Sequence, residues 1–375
     1  MKLFEYQAKE LFKEAGIEIP RGVLIDEESD FSGAIAGLAA PFVVKSQVLS
    51  GKRGKAGLIR FADNAEKAEK EARFLFGCGQ GVKKILVIQD FNVAREVYLS
   101  ITVDAVNAKA LVISCAEGGV DIEELAAKSS GKIHYSLIDM SIGIMDFQCR
   151  NIAYDLGFEG DIAKQMAAVV KKLYSVFVKY DAELAEINPL FITKEGQVLA
   201  GDGKLIIDDN SGFRQKRFEI GRDHFASDAE YESYLEGIPY LQFDGDISLM
   251  CAGAGLTTTV FDLINYSGGK VANYLEFGGA NYKKAVRAME LCLKNSGAKV
   301  ILIVTFGTIA RADVMAEGIK SAIETLKPSV PIVVCIRGTN EEAAAETLRS
   351  CGLNPLYDTE EAVALAVKIA KGGGL

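Results

Sequence analysis

The sequence predicts two domains of different classes: an α+β unit with antiparallel sheets, followed by a doubly wound parallel α/β unit. The chain of 375 residues exceeds what one ordinary hydrophobic core supports, so two or three domains are expected. Its first half holds mostly short segments of alternating polarity, which are typical of half-buried strands. Its last third instead repeats a strand, a glycine-bearing turn and a helix, the pattern of a parallel sheet covered on both faces.

The strands of the first unit are predicted from alternating apolar residues bounded by turn residues. They are expected at 42–46, 58–62, 84–91, 96–105, 110–116, 182–188 and 197–202. Helical periodicity predicts helices between them, at 64–76 and 160–180. A polar stretch at 214–233 predicts a linker, and we expect domains of 1–232 and 233–375.

The second unit contains three repeats of strand, turn and helix. Its strands are expected at 247–251, 300–305 and 332–336. Ligands of doubly wound sheets sit at the carboxyl ends of the strands. The candidate ligand loops are therefore 252–257, 278–282 and 306–311. Thr339 and Glu342 have the spacing of a capping box, which predicts the start of the helix after the third strand.

The composition limits the classes of function. The net charge is -9 and no long basic run is present, which argues against nucleic acid as the main partner. The seven cysteines are an odd number without Cys-x-x-Cys spacing, which favours reduced, buried thiols in a cytoplasmic protein. The N-terminus mixes apolar and charged residues, so neither a targeting peptide nor a membrane span is predicted.

Four short segments, far apart in the chain, carry the candidate chemistry. They lie at 45–57, 94–99, 186–189 and 201–204. Together they supply a loop rich in Gly, Lys and Arg, an acidic strand, and two oxygen ligands suited to Mg²⁺. These are the parts that a nucleotide-phosphate site needs. Each segment is a weak signal alone, but the combination indicates ATP chemistry.

The first segment is the basic one. Lys45 ends an apolar strand, where its ammonium needs solvent or an anionic partner, and a lone lysine at such a place would ordinarily be exposed. The loop that follows changes this expectation, because its glycines let backbone amides approach a phosphate while its basic residues supply charge. These residues are Gly51, Gly54 and Gly57, with Lys52, Arg53 and Lys55.

Asn188 and Asp202 flank a predicted hairpin. If 194–196 form a three-residue loop with Gly196 left-handed, the two side chains lie opposite each other on one face and make a two-oxygen cation site. A two-residue turn at Glu195 and Gly196 would place them on opposite faces. Mg²⁺ takes one or two such protein ligands and fills the rest with phosphate oxygens and water. The metal hypothesis therefore depends on the length of the loop.

In their order and wording, the four segments resemble those of the succinyl-CoA synthetase β-subunit family, whose members are ATP-grasp proteins. The resemblance runs from the segment at 3–10 to the last helix and covers essentially the whole chain. It implies an N-terminal ATP-grasp domain of two lobes, followed by a flavodoxin-like doubly wound domain of the CoA-ligase type.

The resemblance also implies roles for individual residues. The nucleotide would be held by Lys45, Lys52, Arg53, Gly54 and Glu96, and Mg²⁺ by Asn188 and Asp202. Glu186 would help to position a phosphorylated histidine, and that histidine must come from another polypeptide, because His134 and His224 both lie in polar contexts typical of satisfied or exposed histidines. The family places it, with most of the CoA site, on an α subunit in an αβ or α2β2 complex.

The sequence departs from the family at several loops. In the family, a glycine turn and helix at 252–257 steady the phosphohistidine, and neighbouring loops help to hold the acid substrate. The residues concerned are Ala252, Gly253 and Gly255 in one loop and Thr308, Ile309 and Ala310 in another. Ala252 stands where the family has Asn, and Thr308 where it has Gly. Ile88 and Phe91 likewise replace family residues near the nucleotide pocket.

These features predict the β subunit of an acid-CoA ligase that converts ATP to ADP and phosphate and forms a CoA thioester through an acyl phosphate and a partner phosphohistidine. Succinate, the substrate in the tricarboxylic acid cycle, is the family default. The clustered changes give malate or sulfoacetate comparable weight, because a pocket that exchanges polar donors can discriminate between acids. Two further alternatives stay open: a self-contained ATP-grasp carboxylate-amine ligase and a nucleotide-sensing scaffold.

Overall fold

The computed structural model describes residues 1–277, 283–307 and 310–373. The chain divides into two compact units, Met1–Ile220 and Gly221–Leu375. Within the described residues, no helix combines the length and the apolar character needed to span a bilayer.

The first unit contains two antiparallel sheets. Its elements are α1 (Glu5–Glu14), β1 (Gly22–Asp26), α2 (Phe31–Ile35), β2 (Phe42–Ser46), β3 (Ile59–Ala62), α3 (Ala65–Phe76), β4 (Lys84–Gln89), β5 (Val93–Asp104), β6 (Lys109–Cys115), α4 (Ile122–Ser129), β7 (Ile133–Ile138), α5 (Asp146–Asp155), α6 (Gly160–Lys179), β8 (Ala182–Thr193), β9 (Val198–Ala200) and β10 (Lys204–Ile207). The smaller sheet has the order β1-β4-β2-β3. The larger has the order β10-β8-β5-β6-β7, with β9 paired to β8. The prediction of an antiparallel α+β unit is confirmed.

Each sheet of the first unit covers its own core. Strands β2 and β4 turn Val44 and Val87 toward the buried face of α3. In the larger sheet, Ile101 and Ala185 pack with the apolar stripe of α6, which buries residues at helical spacing along its whole length. The strands packed on these two cores contain or adjoin the four segments that carry the candidate chemistry.

The second unit is a mixed sheet with helices on both faces. Its elements are α7 (Asp228–Glu236), β11 (Tyr240–Gln242), β12 (Ile247–Cys251), α8 (Ala254–Tyr266), β13 (Val271–Leu275), α9 (Ala285–Leu293), β14 (Val300–Gly307), α10 (Ala312–Leu326), β15 (Ile332–Gly338), α11 (Glu341–Ser350) and α12 (Thr359–Ala370). The strand order is β11-β13-β12-β14-β15, and only the edge pair β11 and β13 is antiparallel among the described strands. The doubly wound prediction is confirmed.

The order of the parallel strands locates a topological switch point. From β12 the chain crosses to β13 on one side, and then to β14 on the other side of β12. Loops leaving adjacent strands in opposite directions open a crevice at their carboxyl ends, where ligands of this architecture bind. The loops after β12 and β14, which begin at Ala252 and after Gly307, flank that point.

Some local predictions differ from the structure. The strand expected at 182–188 continues to Thr193, and the predicted boundary at 232/233 falls inside α7. The capping box of Thr339 and Glu342 is wrong: α11 begins at Glu341, after a left-handed Asn340, and the Glu341 carboxylate accepts a hydrogen bond from the Gly338 amide. The carboxylate one residue earlier therefore takes the capping role.

Candidate active site

The hairpin between β8 and β9 decides the position of the two candidate metal ligands. The Thr193 amide donates to the Gln197 carbonyl at 2.9 Å, and Gly196 is left-handed with φ of 80°. Leu190 pairs with Ala200 in this register. The three-residue loop is therefore confirmed, and the two-residue turn is wrong. The same register continues at Glu186 opposite Lys204, so Asn188 and Asp202 belong to one face.

A cavity of about 440 Å³ lies on that face of the first unit. Six of the predicted site residues line it: Lys52, Arg53, Gly54, Glu186, Asn188 and Asp202. A Cβ added at Gly51 or Gly54 would meet no atom within 4 Å, so the loop turns bare backbone toward open space. Bare amides beside lysine and arginine side chains are what a phosphate group binds.

Asn188 binds the backbone of a second loop at the cavity, the one that contains Gly119 and Val120. Its Oδ1 accepts a hydrogen bond from the Gly119 amide at 2.8 Å, and its Nδ2 donates to the Val120 carbonyl at 3.0 Å. Gly119 has φ of 68°, and a Cβ there would stand 2.4 Å from a carboxylate oxygen of Glu96. Glu96 is exposed on β5 and lies outside the described lining of the cavity, which it approaches through this glycine.

Glu186 is held by a buried tyrosine. The Tyr98 hydroxyl donates to Glu186 Oε2 at 2.9 Å, and Lys204 lies directly opposite on β10. Burial raises the pKa of Glu186, while Lys204 and the Tyr98 hydrogen bond act in the other direction. The Tyr98 hydrogen bond therefore fixes the position of the Glu186 side chain at the wall of the cavity.

The predicted phosphate ligands Lys45 and Arg53 take part in a buried ion cluster. Lys45 is 6% exposed and lies outside the described lining of the cavity; its Nζ is 2.9 Å from Glu5 Oε1 and donates to the Gly201 carbonyl at 3.0 Å. Arg53 spans two carboxylates. Its Nη1 is 2.7 Å from Glu5 Oε2, and its Nη2 donates to Asp202 Oδ1 at 3.0 Å and Oδ2 at 2.8 Å.

Sequence reasoning missed Glu5 and Lys9. Glu5 is 4% exposed and is also paired with Lys9 at 2.9 Å; the Lys9 Nζ donates to the Gly201 carbonyl at 2.8 Å. Positions 5, 8, 9 and 12 follow helical spacing, and Ala8 and Phe12 are fully buried on that face. Two opposite charges on an apolar helix face were the available signal.

The basic loop also contacts the start of α4. Lys52 Nζ is 2.8 Å from Asp121, and Lys55 Nζ is 2.6 Å from Glu124. Both lysines stay largely exposed. The contacts join the two loops that border the cavity.

The donor set of the cavity fits Mg²⁺. The amide oxygen of Asn188, which also accepts from Gly119, and the carboxylate of Asp202 lie on one face, and such oxygens suit a hard cation that keeps water and phosphate oxygens as its other ligands. The Asp202 carboxylate is paired with Arg53, so a positive charge already lies against it. The two histidines are elsewhere in the chain: His134 is on β7, and His224 Nδ1 accepts from the Gly221 amide at 3.1 Å.

The predicted loops of the second unit lie at its switch point as far as they are described. The Ala252 amide donates to the Val304 carbonyl at 3.0 Å, and Gly253, with φ of 91°, precedes α8. Gly255 is in the first turn of that helix, and Ala310 lies shortly before α10. Thr308 and Ile309, like the loop residues 278–282, lie outside the described residues.

Comparisons with known proteins agree with both units. Residues 2–192 match the ATP-grasp domain family, and residues 250–369 match the CoA-ligase family. The chain is 59% identical over 372 residues to the ADP-forming sulfoacetate-CoA ligase subunit SauC of Bilophila wadsworthia, covering 99% of this chain and 100% of that one. It is 55% identical to the sulfoacetate-CoA ligase subunit SqwK of an Acholeplasma species, with coverage of 99% and 92%.

More distant relatives share the architecture. The ADP-forming succinate-CoA ligase β subunit of Pyrobaculum calidifontis is 40% identical, with 99% of this chain and 100% of the relative covered. Among solved structures, ATP citrate lyase of Methanothrix soehngenii superposes with a TM-score of 0.72 at 20% identity, over 98% of this chain and 99% of that one. That likeness shows the fold alone.

Proposed function

The chain belongs to the family of ADP-forming acid-CoA ligase subunits that join an ATP-grasp domain to a CoA-ligase domain, and we propose that its acid substrate is sulfoacetate. The proposal rests on a difference in sequence identity between two groups of relatives that this chain matches over nearly its whole length. Two sulfoacetate-CoA ligase subunits are 59% and 55% identical to this chain, whereas the succinate-CoA ligase β subunit of Pyrobaculum calidifontis is 40% identical. Sulfoacetate is thus better supported than succinate, the family default.

The small residues at the switch point support this choice. Sulfoacetate carries a tetrahedral sulfonate with three acceptor oxygens, which needs more room and more donors than a planar carboxylate. Ala252 leaves that room, and the amides that open α8 can donate to an anion. The hydroxyls of Thr257, Thr258 and Thr259 bond back to helix carbonyls, so the backbone is the donor that remains there.

The proposed chemistry consists of phosphoryl transfers followed by thioester formation. The γ-phosphoryl group of ATP passes to a histidine, leaving ADP, and then to the carboxylate of the acid. The thiol of CoA attacks the resulting acyl phosphate and releases phosphate. Lys52, Arg53 and Lys45 would neutralise phosphate charge, and Glu186 would orient the phosphorylated histidine. Such transfers depend on positioning and charge neutralisation rather than on a side-chain nucleophile.

Two parts of this scheme lie outside the chain. Mg²⁺ would be held by Asn188 and Asp202 and would screen the phosphate oxygens. The phosphorylated histidine and most of the CoA site would belong to an α-type partner, in an αβ or α2β2 complex. The relatives are themselves named as subunits, which supports a partner of this kind.

The test is product identification. The chain is co-expressed with the α-type subunit from the same genome and incubated with ATP, Mg²⁺, CoA and either sulfoacetate, succinate or malate. Mass spectrometry detects the thioester, and ADP release is measured in parallel. We expect sulfoacetyl-CoA as the main product.

Other outcomes would contradict the proposal in distinct ways. Succinyl-CoA or malyl-CoA as the main product would overturn the acid assignment and leave the ligase class intact. Amide formation by the isolated chain with an amine acceptor would favour the carboxylate-amine ligase. Nucleotide binding without any thioester from these acids would favour the sensing scaffold.

A further inference from the structure

The buried ion cluster of the first unit contains one carboxylate that neither the metal hypothesis nor the phosphate hypothesis uses. Glu5, in the first turn of α1, is in contact with Lys9, Lys45 and Arg53. Its side chain is 1% exposed, so no solvent replaces these partners. Two of the three cations are the proposed ligands of the nucleotide phosphates.

Arg53 distinguishes the two carboxylates that share it. Its Nη1 is bound by Glu5 and also donates to the Ser46 carbonyl at 3.0 Å. Its Nη2 donates to both carboxylate oxygens of Asp202. Asp202 lines the cavity and is a candidate metal ligand, whereas Glu5 lies behind the guanidinium. Glu5 therefore holds Nη1 from behind the cavity, whereas Nη2 is bound to Asp202, which would become a metal ligand when nucleotide binds.

We propose that Glu5 is a positioning residue for the nucleotide site: it holds Lys45 and Arg53 in place beside the cavity when Asp202 binds the metal. Arg53 then exchanges Asp202 for phosphate oxygen through Nη2 while Nη1 stays on Glu5. A bidentate guanidinium is suited to this because its two nitrogens have fixed relative geometry. The inference rests on the proposed nucleotide site.

Lys9 allows the net charge of the cluster to be varied separately from the anchoring by Glu5. The five ionised groups are Glu5, Asp202, Lys9, Lys45 and Arg53, and their charges sum to one positive charge. Lys9 is bound by Glu5 and by the Gly201 carbonyl and lies outside the described lining of the cavity. The other four groups sum to zero, so Lys9 supplies the one positive charge in excess, and the proposed site does not use it as a phosphate ligand. A change of net charge can therefore be separated from a loss of positioning.

The experiment compares three variants of the full chain, co-expressed with its partner. Glu5→Gln removes the anchor. Glu5→Gln with Lys9→Met also removes one cation, which restores the net charge of the cluster. Glu10→Gln, an exposed glutamate on the same helix, is the matched control. Binding of Mg·ATP is measured by calorimetry, and KM for ATP and for the acid are measured separately.

We expect Glu5→Gln and the double variant both to weaken Mg·ATP binding by about tenfold to a hundredfold, the usual effect of losing an orienting partner. KM for ATP should rise while KM for the acid stays unchanged, and Glu10→Gln should behave as wild type. Wild-type affinity in Glu5→Gln, or recovery in the double variant, would overturn the positioning role. If the wild-type chain itself does not bind Mg·ATP, the proposed nucleotide site fails first, and the positioning role fails with it.

Discussion

The candidate ligand sites of the two units are built from different kinds of groups. In the first unit the site is made of ionised side chains that hold one another, with Arg53 between Glu5 and Asp202. In the second unit the turn that opens α8 consists of small residues and backbone, with Ala252 and Gly253 before the helix. Buried charges in contact constrain each other, whereas a loop residue can change at little cost to the core. We infer that nucleotide handling is hard to alter and that acid choice is easy to alter.

The strongest test of this difference is removal of Asp202. Asp202→Ala should lower nucleotide-dependent thioester formation by at least about a hundredfold, because both the metal and Arg53 lose a ligand. The cluster keeps Glu5, so the fold should survive, as circular dichroism would show. The effect should be the same for every acid offered.

The matched control for Asp202 lies in the same hairpin. Glu195 is exposed in the loop at 194–196, and Glu195→Ala should leave turnover unchanged. Retained activity in Asp202→Ala would remove Asp202 as a metal ligand. An effect that differed between acids would contradict the inference that the first unit handles the nucleotide and the second chooses the acid.

The second prediction concerns the contribution of ionised Glu5 to the stability of the first unit. Burial opposes ionisation of Glu5, but attraction by Lys45, Lys9 and Arg53 outweighs it and lowers its pKa well below the ordinary glutamate value. The ionised form therefore stabilises the fold above the ordinary pKa, and this stability is lost as pH falls through the lower pKa of the folded state. At pH 7, Glu5→Gln should reduce the free energy of unfolding by about 3 kcal/mol, because it leaves buried cations without their partner.

The pH dependence separates this prediction from a simple packing defect. Between pH 7 and pH 5 the stability gap between wild type and Glu5→Gln should be constant. It should narrow as the pH falls below the ordinary glutamate pKa of about 4.3, where Glu5 of the unfolded wild-type chain takes up a proton while folded Glu5 stays ionised. Urea unfolding at each pH measures the gap. A gap of the same size at every pH would show that the loss is not electrostatic.

The same cluster shows what sequence could and could not give for the site. That Lys52, Arg53, Gly54 and the hairpin residues Asn188 and Asp202 come together was predictable, because their segments are local and their chemistry is readable from spacing. Glu5 was not singled out, since its role depends on partners 40 and more residues away that only the tertiary fold brings together. Charges within an amphipathic helix are ordinarily assigned to its solvent face.

The acid loop should respond more weakly and more selectively. Ala252→Asn adds an amide donor at the switch point, and we expect it to shift the ratio of kcat/KM for succinate over sulfoacetate toward succinate by about tenfold. KM for ATP should not change. The control is Ser267→Asn at the exposed C-terminal end of α8, which should leave the ratio as it is. A parallel loss for both acids would mean that residue 252 supports the loop rather than selecting the acid.

The second unit was the easier one to predict as a fold and the harder one to predict as a site. Strand, glycine turn and helix repeat in the sequence, so the strand at 247–251 was located to the residue. Edge strand β11 was missed because its three residues carry little periodic signal, and β13 was missed because Asn273 interrupts its apolar run. In the proposed function, acid choice would depend on the loops at 252–257 and 306–311, and loop shape is not encoded in a periodic pattern.

The smallest expected effect concerns the contact between the basic loop and α4. Lys55 and Glu124 are 63% and 52% exposed, so their ion pair competes with water and salt. Lys55→Ala should weaken Mg·ATP binding by only about twofold at low salt, and the difference from wild type should largely vanish at about 0.5 M salt. Lys70→Ala on α3 is the surface control. A loss of Mg·ATP affinity of tenfold or more that persisted at high salt would show that Lys55 belongs with the buried ion cluster. The region in which charges constrain one another would then extend along the basic loop beyond Arg53.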